Sequence, residues 1–529
     1  METSLGYAQA MTAPHRLASL AGHTAMAEGA TAIEAMVCAA ATIAVVYPHM
    51  NGLGGDAFWT IKRRGEAPVT IAGCGGAGAK ATRHWYAERG ITDALPARGP
   101  LAAVTVPGAV GTWQMALSMV PAAKRWALAD LLAPAIHHAR AGVAMSRHQA
   151  EMTSAKLDQV KDQPGFAEVF LNNGAAPSPG WRLRQEALAG TLETLAAEGC
   201  DSFYKGDLAR THAGFLAEIG SPICLSDFES YAPERQDPLQ IKTSWGTLYN
   251  TRPPTQGVAS LAILGTFDRL GIDPQRPESP EHIHGLVESI KQAYLMRNRE
   301  LGDPGLMQSD AQDLLSDAAL DDMAGAIDLA HARSWPETPR DGDTIWMGAV
   351  DRDGTVVSFI QSLFWEFGSA VVCPETGVMF QNRGADFLLD DGLRGLAPGR
   401  LPFHTLNPAM AELNDGRVMA YGTQGGEGQP QTQAAVFSRY AHFGVPLQDA
   451  ICRPRWLLGK SWGEESTSLK LEEDFGPELI AAMENAGHTV DVVRPCDPLM
   501  GQAGAVVAHP DGQTEAATDP RSDGAALAI

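Results

Sequence analysis

The chain has 529 residues, of which 45% are hydrophobic and 19% charged, a composition typical of a folded globular protein. Its 62 acidic residues outnumber its 40 Lys and Arg residues, so the formal net charge is −22. This balance argues against binding to nucleic acid or to an anionic membrane, since both partners require a basic surface. The longest nearly apolar run, residues 35–47, is too short for the roughly 20 residues of a membrane-spanning helix.

The N-terminus and the cysteines both favour a cytoplasmic protein. The first residues, METSLGYAQAMTAPHRL, contain neither the basic segment nor the apolar segment of a secretory signal. The seven cysteines are odd in number, dispersed and without a CxxC pair, which favours reduced thiols over a disulfide framework or a zinc site. At about 150 residues per domain, the length alone suggests three or four domains.

The first two thirds of the chain are predicted to be mostly helical. Apolar residues at helical spacing predict helices over 18–30, 33–46, 113–119, 128–141, 186–198, 280–298 and 310–330. After the second helix comes a glycine-rich turn, NGLGGD. Two strands, at 57–62 and 69–72, are then predicted to form a hairpin around Arg64-Gly65.

The last third of the chain has a different character. Residues 331–343, HARSWPETPRDGD, are polar and contain two prolines, which predicts an exposed linker. The following TIWMGAVDRDGTVVSFIQSLF predicts two strands joined by Asp353-Gly354. Further strands are predicted at 378–381, 417–421, 469–472, 490–493 and 504–508, and further helices at 432–442 and 477–486. A helix-rich part of the chain followed by a strand-rich part predicts an α+β fold.

Three short patterns point to other chemistries. GCGGAG at 73–78 satisfies GxGxxG, with Asp93 about 20 residues further on, but no repeating βαβ units follow, so a tight turn is favoured over an NAD-binding oxidoreductase. GKSWG at 459–463 satisfies the GxSxG of serine hydrolases, but Pro454 argues against the central strand that must precede that motif. His137-His138 lacks metal-ligand spacing, and we expect neither a metal nor an organic cofactor.

The junction Asp343-Thr344 places a threonine at the start of the predicted central hairpin. A threonine hydroxyl is a weak nucleophile unless a base lies beside it, and a free α-amino group, with a pKa of about 7.7–8.0, can be that base. The arrangement requires a cut before Thr344, by attack of its hydroxyl on the Asp343 carbonyl and hydrolysis of the resulting ester. The spacing alone is unspecific, because threonine is common in strands.

Six blocks in the same order resemble the γ-glutamyltransferase family of N-terminal-nucleophile hydrolases. They are AIEAMVCAAATIAVVYPHMNGLGGDAF, DTIWMGAVDRDGTVVSF, GVMFQNRGADF, LPFHTLNPAM, GTQGGEGQPQTQ and ATDPRSDGAA. The resemblance implies a four-layer αββα sandwich with Thr344 between its two sheets. It also implies a proenzyme cut into residues 1–343 and 344–529, which remain associated as one folded unit; a higher oligomer is left open.

The resemblance further implies the roles of individual residues. Thr344 would be the nucleophile, supported by the hydroxyl of Ser362 on the paired strand. Gly425 and Gly426 match the pair whose backbone N–H groups form the oxyanion hole. Asp386 matches the acid that receives the ammonium group of a γ-glutamyl substrate.

Five pocket positions depart from the family pattern. The arginine that binds the glutamyl α-carboxylate falls at Cys74, a serine pair becomes His404-Thr405, an asparagine becomes Phe364 and a glutamine becomes Arg383. Since cysteine cannot replace an arginine–carboxylate fork, glutathione-type substrates are not expected, although the amide-cleaving residues are all present.

These departures, together with the DTIW start and the missing signal, resemble the cytoplasmic oxamate amidohydrolase branch of the family. That branch implies hydrolysis of oxamate to oxalate and ammonia through an acyl-Thr344 intermediate, with Arg383 and His404 binding the carboxylate of this small amide. Three alternatives stay open: a true γ-glutamyltransferase or glutathione hydrolase, an acylase for larger amides, and a catalytically inactive binding protein.

Overall fold

The computed structural model describes residues 1–335, 342–460 and 466–529, with Asp343 described by its backbone only. Residues 461–463 of the GxSxG pattern and residues 336–341 of the predicted linker lie outside this part of the chain. The described helices are α1 Arg16–Ala27, α2 Ala32–Val46, α3 Arg83–Ala87, α4 Ala109–Ser118, α5 Leu128–Ala141, α6 Arg147–Val160, α7 Phe166–Phe170, α8 Glu186–Glu198, α9 Ser202–Lys205, α10 Asp207–Glu218, α11 Leu225–Ser230, α12 Gly257–Asp268, α13 Pro280–Glu300, α14 Asp317–Gly325, α15 Gln429–Phe437, α16 Leu447–Cys452 and α17 Pro477–Asn485.

The described strands are β1 Ser4–Gly6, β2 Ala10–Ala13, β3 Asp56–Lys62, β4 Val69–Gly73, β5 Val143–Ala144, β6 Arg182–Leu183, β7 Glu234–Gln236, β8 Leu239–Thr243, β9 Gly246–Asn250, β10 Asp343–Val350, β11 Val356–Phe364, β12 Ala409–Leu413, β13 Val418–Thr423, β14 Trp456–Leu458, β15 Leu469–Glu472, β16 Val490–Val493, β17 Ala503–Ala508, β18 Thr514–Thr518 and β19 Ala525–Ala528. Sheet I has the order β1-β18-β17-β13-β12-β9-β8, and sheet II the order β19-β2-β10-β11-β3-β4-β7. The predicted hairpin β10–β11 therefore lies inside sheet II, and both sheets take strands from each side of Asp343-Thr344.

The two sheets and their covering helices form four layers. Helices α1, α2 and α4 pack against the outer face of sheet II, with α5 packed on α2. Helices α12 and α15 pack against the outer face of sheet I, with α13 packed on both of them. A smaller apolar cluster lies between the sheets and includes Phe58, Trp346, Ile360, Met410 and Val506. The expected αββα sandwich is confirmed.

Helix α2 shows why the sequence forms this layer. Thr31 begins the helix with a capping box, accepting a hydrogen bond from the Glu34 amide while the Glu34 carboxylate accepts one from the Thr31 amide. All fifteen residues of α2 are buried, and most are Ala, Val or Ile. Small apolar side chains on every face allow the helix to lie close to the β10–β11 hairpin and to α1 and α5.

Most predicted long helices are confirmed, and two of them, 128–141 and 186–198, match the structure at both ends. The predicted helix over 310–330 is wrong, because the Ser316 side chain caps a new helix and restricts it to Asp317–Gly325. The predicted strand at 378–381 is also wrong. That segment forms single bridges, Gly54 with Phe380 and Val372 with Met379, instead of a ladder.

Trp346 makes the tightest contact between the two sheets. Its indole lies over three glycines, Gly348, Gly422 and Gly504, and its Nε1 donates to Ser358 Oγ at 2.9 Å. A Cβ placed on Gly422 of sheet I would lie 2.2 Å from Trp346 Cδ1. Glycine is required there because the opposing ring occupies the space of a side chain.

We therefore expect Gly422→Ala to lower the free energy of unfolding by about 1–3 kcal/mol, measured by chemical denaturation. Gly190→Ala is the matched control, since a Cβ there in α8 meets nothing within 4 Å. Alanine at that helical site should leave stability unchanged or raise it by up to about 1 kcal/mol. Equal effects of the two substitutions would contradict the packing described here.

Candidate active site

Thr344 lies at an irregularity of strand β10. The register of the hairpin passes from Asp343 opposite Phe364 to Ile345 opposite Gln361, so Ser362 and Leu363 of β11 form a bulge opposite the single Thr344. Thr344 is fully buried, and its Oγ1 donates to the Gln361 carbonyl oxygen at 3.1 Å. A bulge takes a residue out of the regular ladder and redirects its side chain, which is a common arrangement at active sites.

The glycine pair predicted as an oxyanion hole lies beside the residues that precede Thr344. Gly425 and Gly426 follow β13 with φ angles of +119° and +52°, and Gly426 begins a short 3₁₀ turn that leads into α15. A Cβ built on Gly426 would lie 2.6 Å from the carbonyl oxygen of Gly342. The structure therefore brings this loop of sheet I directly against the backbone just before β10 of sheet II.

Ser362 and Phe364 lie at the end of β11, next to this junction. Ser362 pairs with Asp56 of β3, and its Oγ accepts a hydrogen bond from the Phe364 amide at 2.7 Å. Phe364 has a φ of +84°, an uncommon conformation for a bulky residue. Its ring lies under the guanidinium of Arg383, with the Cζ atom 3.9 Å from the ring centroid.

Arg383 is almost completely buried, with 1% of its surface exposed. Its Nη1 donates to Thr405 Oγ1 at 3.5 Å, whereas Nε and Nη2 have no hydrogen-bond partner among the described residues. Burial lowers the pKa of Arg383 to about 10, opposed by the nearby charge of Asp56, so the guanidinium remains charged at neutral pH. A buried arginine with two unused donors is suited to an anionic ligand.

Asp56 and His404 form a second buried pair beside Arg383. His404 Nε2 lies 3.5 Å from Asp56 Oδ2, and the imidazole packs edge-on against Phe58. Burial, and then the charge of Arg383, hold the pKa of His404 well below its usual value, so the ring is neutral. Burial raises the pKa of Asp56 to about 7, against the opposing effect of Arg383.

We name Asp56, Phe364, Arg383, His404 and Thr405 the Arg383 cluster. Asp56 was not identified from the sequence, although an acid directly after the glycine-rich turn was the available signal. Its Oδ1 accepts hydrogen bonds from the Gly108 amide and from Gln381 Nε2, both at 3.0 Å.

Asp386 and Cys74 lie at the edge of this cluster. Asp386 is buried at the end of the 3₁₀ turn that Arg383 begins, and its charge raises the pKa of Arg383. Cys74 follows β4 and lines a cavity of about 500 Å³ together with Val106, Tyr231 and Leu401. Burial, and then the charge of Asp56, hold the thiol pKa well above its usual value, which makes Cys74 a poor nucleophile.

The glycines of GCGGAG serve close backbone packing. A Cβ on Gly75 would lie 2.2 Å from the Val106 carbonyl oxygen, and one on Gly76 would lie 2.5 Å from that of Gly399. The next helix, α3, begins only at Arg83. No helix starts at these glycines in the described chain, so a phosphate would find no helix N-terminus there.

One group in the described chain has the composition of a metal site: the buried His284, Glu288 and His488, whose ligand atoms lie within 4.8 Å of one another. His284 Nδ1 is hydrogen-bonded to His488 Nε2 at 2.8 Å, and Lys291 Nζ contacts Glu288 Oε1 at 2.6 Å. The two histidines are thus hydrogen-bonded to each other, and Glu288 is paired with Lys291. The positive charge of the Lys291 ammonium group would repel a metal cation. This cluster was not identified from the sequence.

Comparison with known proteins identifies the family. The sequence model of the family described as "Gamma-glutamyltranspeptidase" matches residues 18–529. The chain belongs to the γ-glutamyltranspeptidase family. It is 51% identical to an oxamate amidohydrolase proenzyme of Klebsiella pneumoniae over 97% of both chains, and 38% identical to a glutathione hydrolase-like YwrD proenzyme of Bacillus subtilis over 99% of both.

The fold comparison agrees with this assignment. A crystal structure of cephalosporin acylase from Bacillus halodurans superposes with a TM-score of 0.91 at 29% identity, covering 100% of this chain and 97% of that one. The prediction that the protein is an amide-hydrolysing enzyme of the N-terminal-nucleophile class is confirmed. None of the helices in the described ranges combines the length and the apolar character that a membrane span needs.

The raised pKa of Asp56 predicts a dependence of stability on pH. Between the ordinary value of 3.8 and the folded value of about 7, the folded protein binds more protons than the unfolded chain. The free energy of unfolding should therefore fall as the pH rises through this window, by at most about 1.4 kcal/mol per pH unit from this group. Denaturant unfolding at several pH values measures the slope.

Asp56→Asn should remove this contribution and make stability less dependent on pH between 4 and 7. The same substitution at the exposed Asp93 is the control and should keep the wild-type slope. Superimposable pH profiles for the wild type and Asp56→Asn would contradict the buried environment that we assign to this carboxyl group.

Proposed function

We propose that the protein is an autoprocessed threonine amidohydrolase for a small amide that carries a carboxylate, with oxamate as substrate and oxalate and ammonia as products. The proposal is carried by one observation: Thr344 is buried opposite the bulge of β11, and the Gly425-Gly426 loop lies against Gly342, just before it. The 51% identity to a protein named oxamate amidohydrolase proenzyme supports the choice of substrate.

In the proposed processing step, the Thr344 hydroxyl attacks the carbonyl carbon of Asp343. The negative charge on the carbonyl oxygen is stabilised by the N–H groups of Gly425 and Gly426, each donor worth about 3–4 kcal/mol in such sites. Hydrolysis of the resulting ester leaves Thr344 as a free N-terminus. The two products, residues 1–343 and 344–529, stay together because each sheet contains strands from both.

In the proposed turnover, the same hydroxyl attacks the amide carbon of the substrate while the α-amino group of Thr344 accepts its proton. Collapse of the tetrahedral intermediate breaks the C–N bond, and the leaving nitrogen takes that proton and departs as ammonia. Water then hydrolyses the acyl-Thr344 ester and regenerates the hydroxyl. Ser362, one strand away, supports the nucleophile, and no step requires a cofactor.

Substrate selection is proposed to depend on the Arg383 cluster. The unused Nε and Nη2 donors of Arg383 bind the substrate carboxylate, with His404 and Thr405 beside them. Phe364 and Cys74 replace polar groups of the family pattern, which leaves Asp386 without the α-carboxylate clamp that a γ-glutamyl group needs. The seven cysteines are all free thiols, consistent with the proposed cytoplasmic location.

The substrate assignment is tested by measuring ammonia release from oxamate and p-nitroaniline release from γ-glutamyl-p-nitroanilide. We expect turnover of oxamate and none of the γ-glutamyl compound, because the arginine fork for an α-carboxylate is absent at Cys74. The opposite pattern would refute the oxamate proposal and favour a γ-glutamyl hydrolase or transferase.

The same assay, applied to the Arg383→Lys variant, measures how KM for oxamate depends on this arginine. Lysine keeps the charge but loses the planar fork, so KM for oxamate should rise tenfold or more. Arg417→Lys is the matched control, since that guanidinium also lies over an aromatic ring, Tyr440, but contacts Asp415 in the turn between β12 and β13. An unchanged KM in Arg383→Lys would exclude this arginine as the carboxylate ligand.

The nucleophile is tested by substitution. Thr344→Ala should abolish both chain cutting and ammonia release, whereas Thr344→Ser should retain part of each, because serine keeps the hydroxyl. Thr355→Ala removes the same atoms from a buried threonine elsewhere in the hairpin and should behave as the wild type. Turnover of oxamate by Thr344→Ala at the wild-type rate would rule out the mechanism.

A further inference from the structure

A single side chain connects the glycine pair to the Arg383 cluster. Gln256, fully buried just before α12, donates through Nε2 to two backbone carbonyl oxygens: that of Gly426 at 3.0 Å and that of Thr405 at 2.8 Å. These carbonyls belong to the segment proposed to stabilise the oxyanion and to the segment proposed to bind the substrate carboxylate. This amide group therefore joins the two segments directly, alongside Asn407, whose Nδ2 also donates to the Thr405 carbonyl oxygen at 2.8 Å.

A buried ion pair determines which way this amide faces. Gln256 Oε1 accepts a hydrogen bond from Arg297 Nη1 at 3.1 Å, and Arg297 Nη2 donates to Glu427 Oε2 at 2.9 Å. Arginine has only donors, so the oxygen of the amide must face Arg297 and the nitrogen must face the two carbonyls. The side chains of Arg297 and Glu427 are 2% and 5% exposed, so this pairing is not weakened by water.

The same ion pair also fixes the residue that follows the glycine pair. The Arg297 guanidinium lies over the ring of Tyr294, its Cζ 4.0 Å from the centroid, and the Tyr294 hydroxyl donates to the Glu427 carbonyl oxygen. Helix α13 thus holds Glu427 by its side chain and by its backbone. Both contacts come from a residue of the proposed large chain to one of the proposed small chain.

The glycine pair needs such external contacts. Gly425 and Gly426 both have positive φ angles, and glycine has more backbone freedom than any other residue. Within the loop, Gly428 donates from its amide to the Gly425 carbonyl oxygen at 2.8 Å. The Gly426 carbonyl is instead held from outside, by Gln256. An oxyanion donor is effective only when its direction is fixed before the reaction.

We propose that Gln256 is a positioning residue for catalysis: it holds the Gly425-Gly426 loop at a fixed distance from the Thr405 segment, and the Arg297–Glu427 pair orients its amide. The inference rests on the proposed role of the glycine pair and not on the identity of the amide substrate. It adds to the proposed reaction a group that contacts neither substrate nor nucleophile.

The test compares two buried glutamines. Gln256→Met keeps the bulk of the side chain and removes both donor bonds. Gln185→Met removes one such donor bond, from Gln185 Nε2 to the Val45 carbonyl oxygen at 2.8 Å, between the segment before α8 and helix α2. The measurements are the rate of chain cutting on a denaturing gel, kcat for oxamate, and the thermal unfolding midpoint.

We expect both variants to lose thermal stability, and Gln256→Met to lose more because it also leaves Arg297 Nη1 without its acceptor. Only Gln256→Met should slow cutting and lower kcat, each by about 10–100-fold. Cutting is independent of the substrate, so this readout remains valid if oxamate is the wrong amide. Cutting and turnover by Gln256→Met within twofold of the wild type would overturn the inference, as would equal losses in Gln185→Met.

Gln256→Glu gives a second measurement that a purely structural role would not affect. The introduced carboxylate can still accept from Arg297, but it presents an oxygen to the two carbonyls and repels them. Protonation restores one donor, so the cutting rate relative to that of the wild type should rise as the pH is lowered. A ratio independent of pH would contradict the proposed donor role. A wild-type chain that stays uncut would instead refute the proposed function itself.

Discussion

The whole arrangement depends on the close approach of two glycine backbones from opposite sheets. Gly342, just before β10 of sheet II, lies against Gly426, just after β13 of sheet I, and a Cβ on Gly426 would come within 2.6 Å of the Gly342 carbonyl oxygen. Any larger residue at position 426 would separate the loop from the chain that precedes Thr344. The two-sheet architecture, with Trp346 over Gly422 and Gly504, keeps these ends at this separation.

The charge near this contact is positive, whereas the net charge of the whole protein is negative. The formal charge is −22, yet the buried Arg383 keeps its positive charge, and the partners beside it are a neutral His404 and an Asp56 with a pKa raised to about 7. Water is excluded from these groups, so their interactions are screened much less than those of the acidic surface. A local positive group can therefore bind a small anion in an acidic protein.

The sequence predicted long elements better than short ones. Helices such as 128–141 follow from apolar periodicity, and the β10–β11 hairpin follows from alternation around Asp353-Gly354. Short strands such as β1, β2 and β7 carry too few residues for a pattern, and they are formed by pairing with strands distant in sequence. The expected helix-rich first part and strand-rich last part are both present, but the first part also supplies β1–β4 and β7–β9 to the two sheets.

Some of the site residues could likewise be predicted from the sequence, and others could not. Thr344 follows from nucleophile chemistry, while Gly425, Gly426 and Arg383 were located by family resemblance, and the structure brings Phe364, Arg383 and Thr405 together. Asp56 and Gln256 were missed because they act on backbone and side-chain groups more than a hundred residues away. Local sequence carries no information on such contacts.

The most direct test of the account is mass spectrometry of the denatured, active protein after brief exposure to oxamate. We predict two chains, the smaller beginning at Thr344, and an oxalyl adduct on the peptide with that N-terminus. A single uncut chain of 56.2 kDa that hydrolyses oxamate, or an adduct on a different residue, would contradict the assignment of Thr344 as the nucleophile.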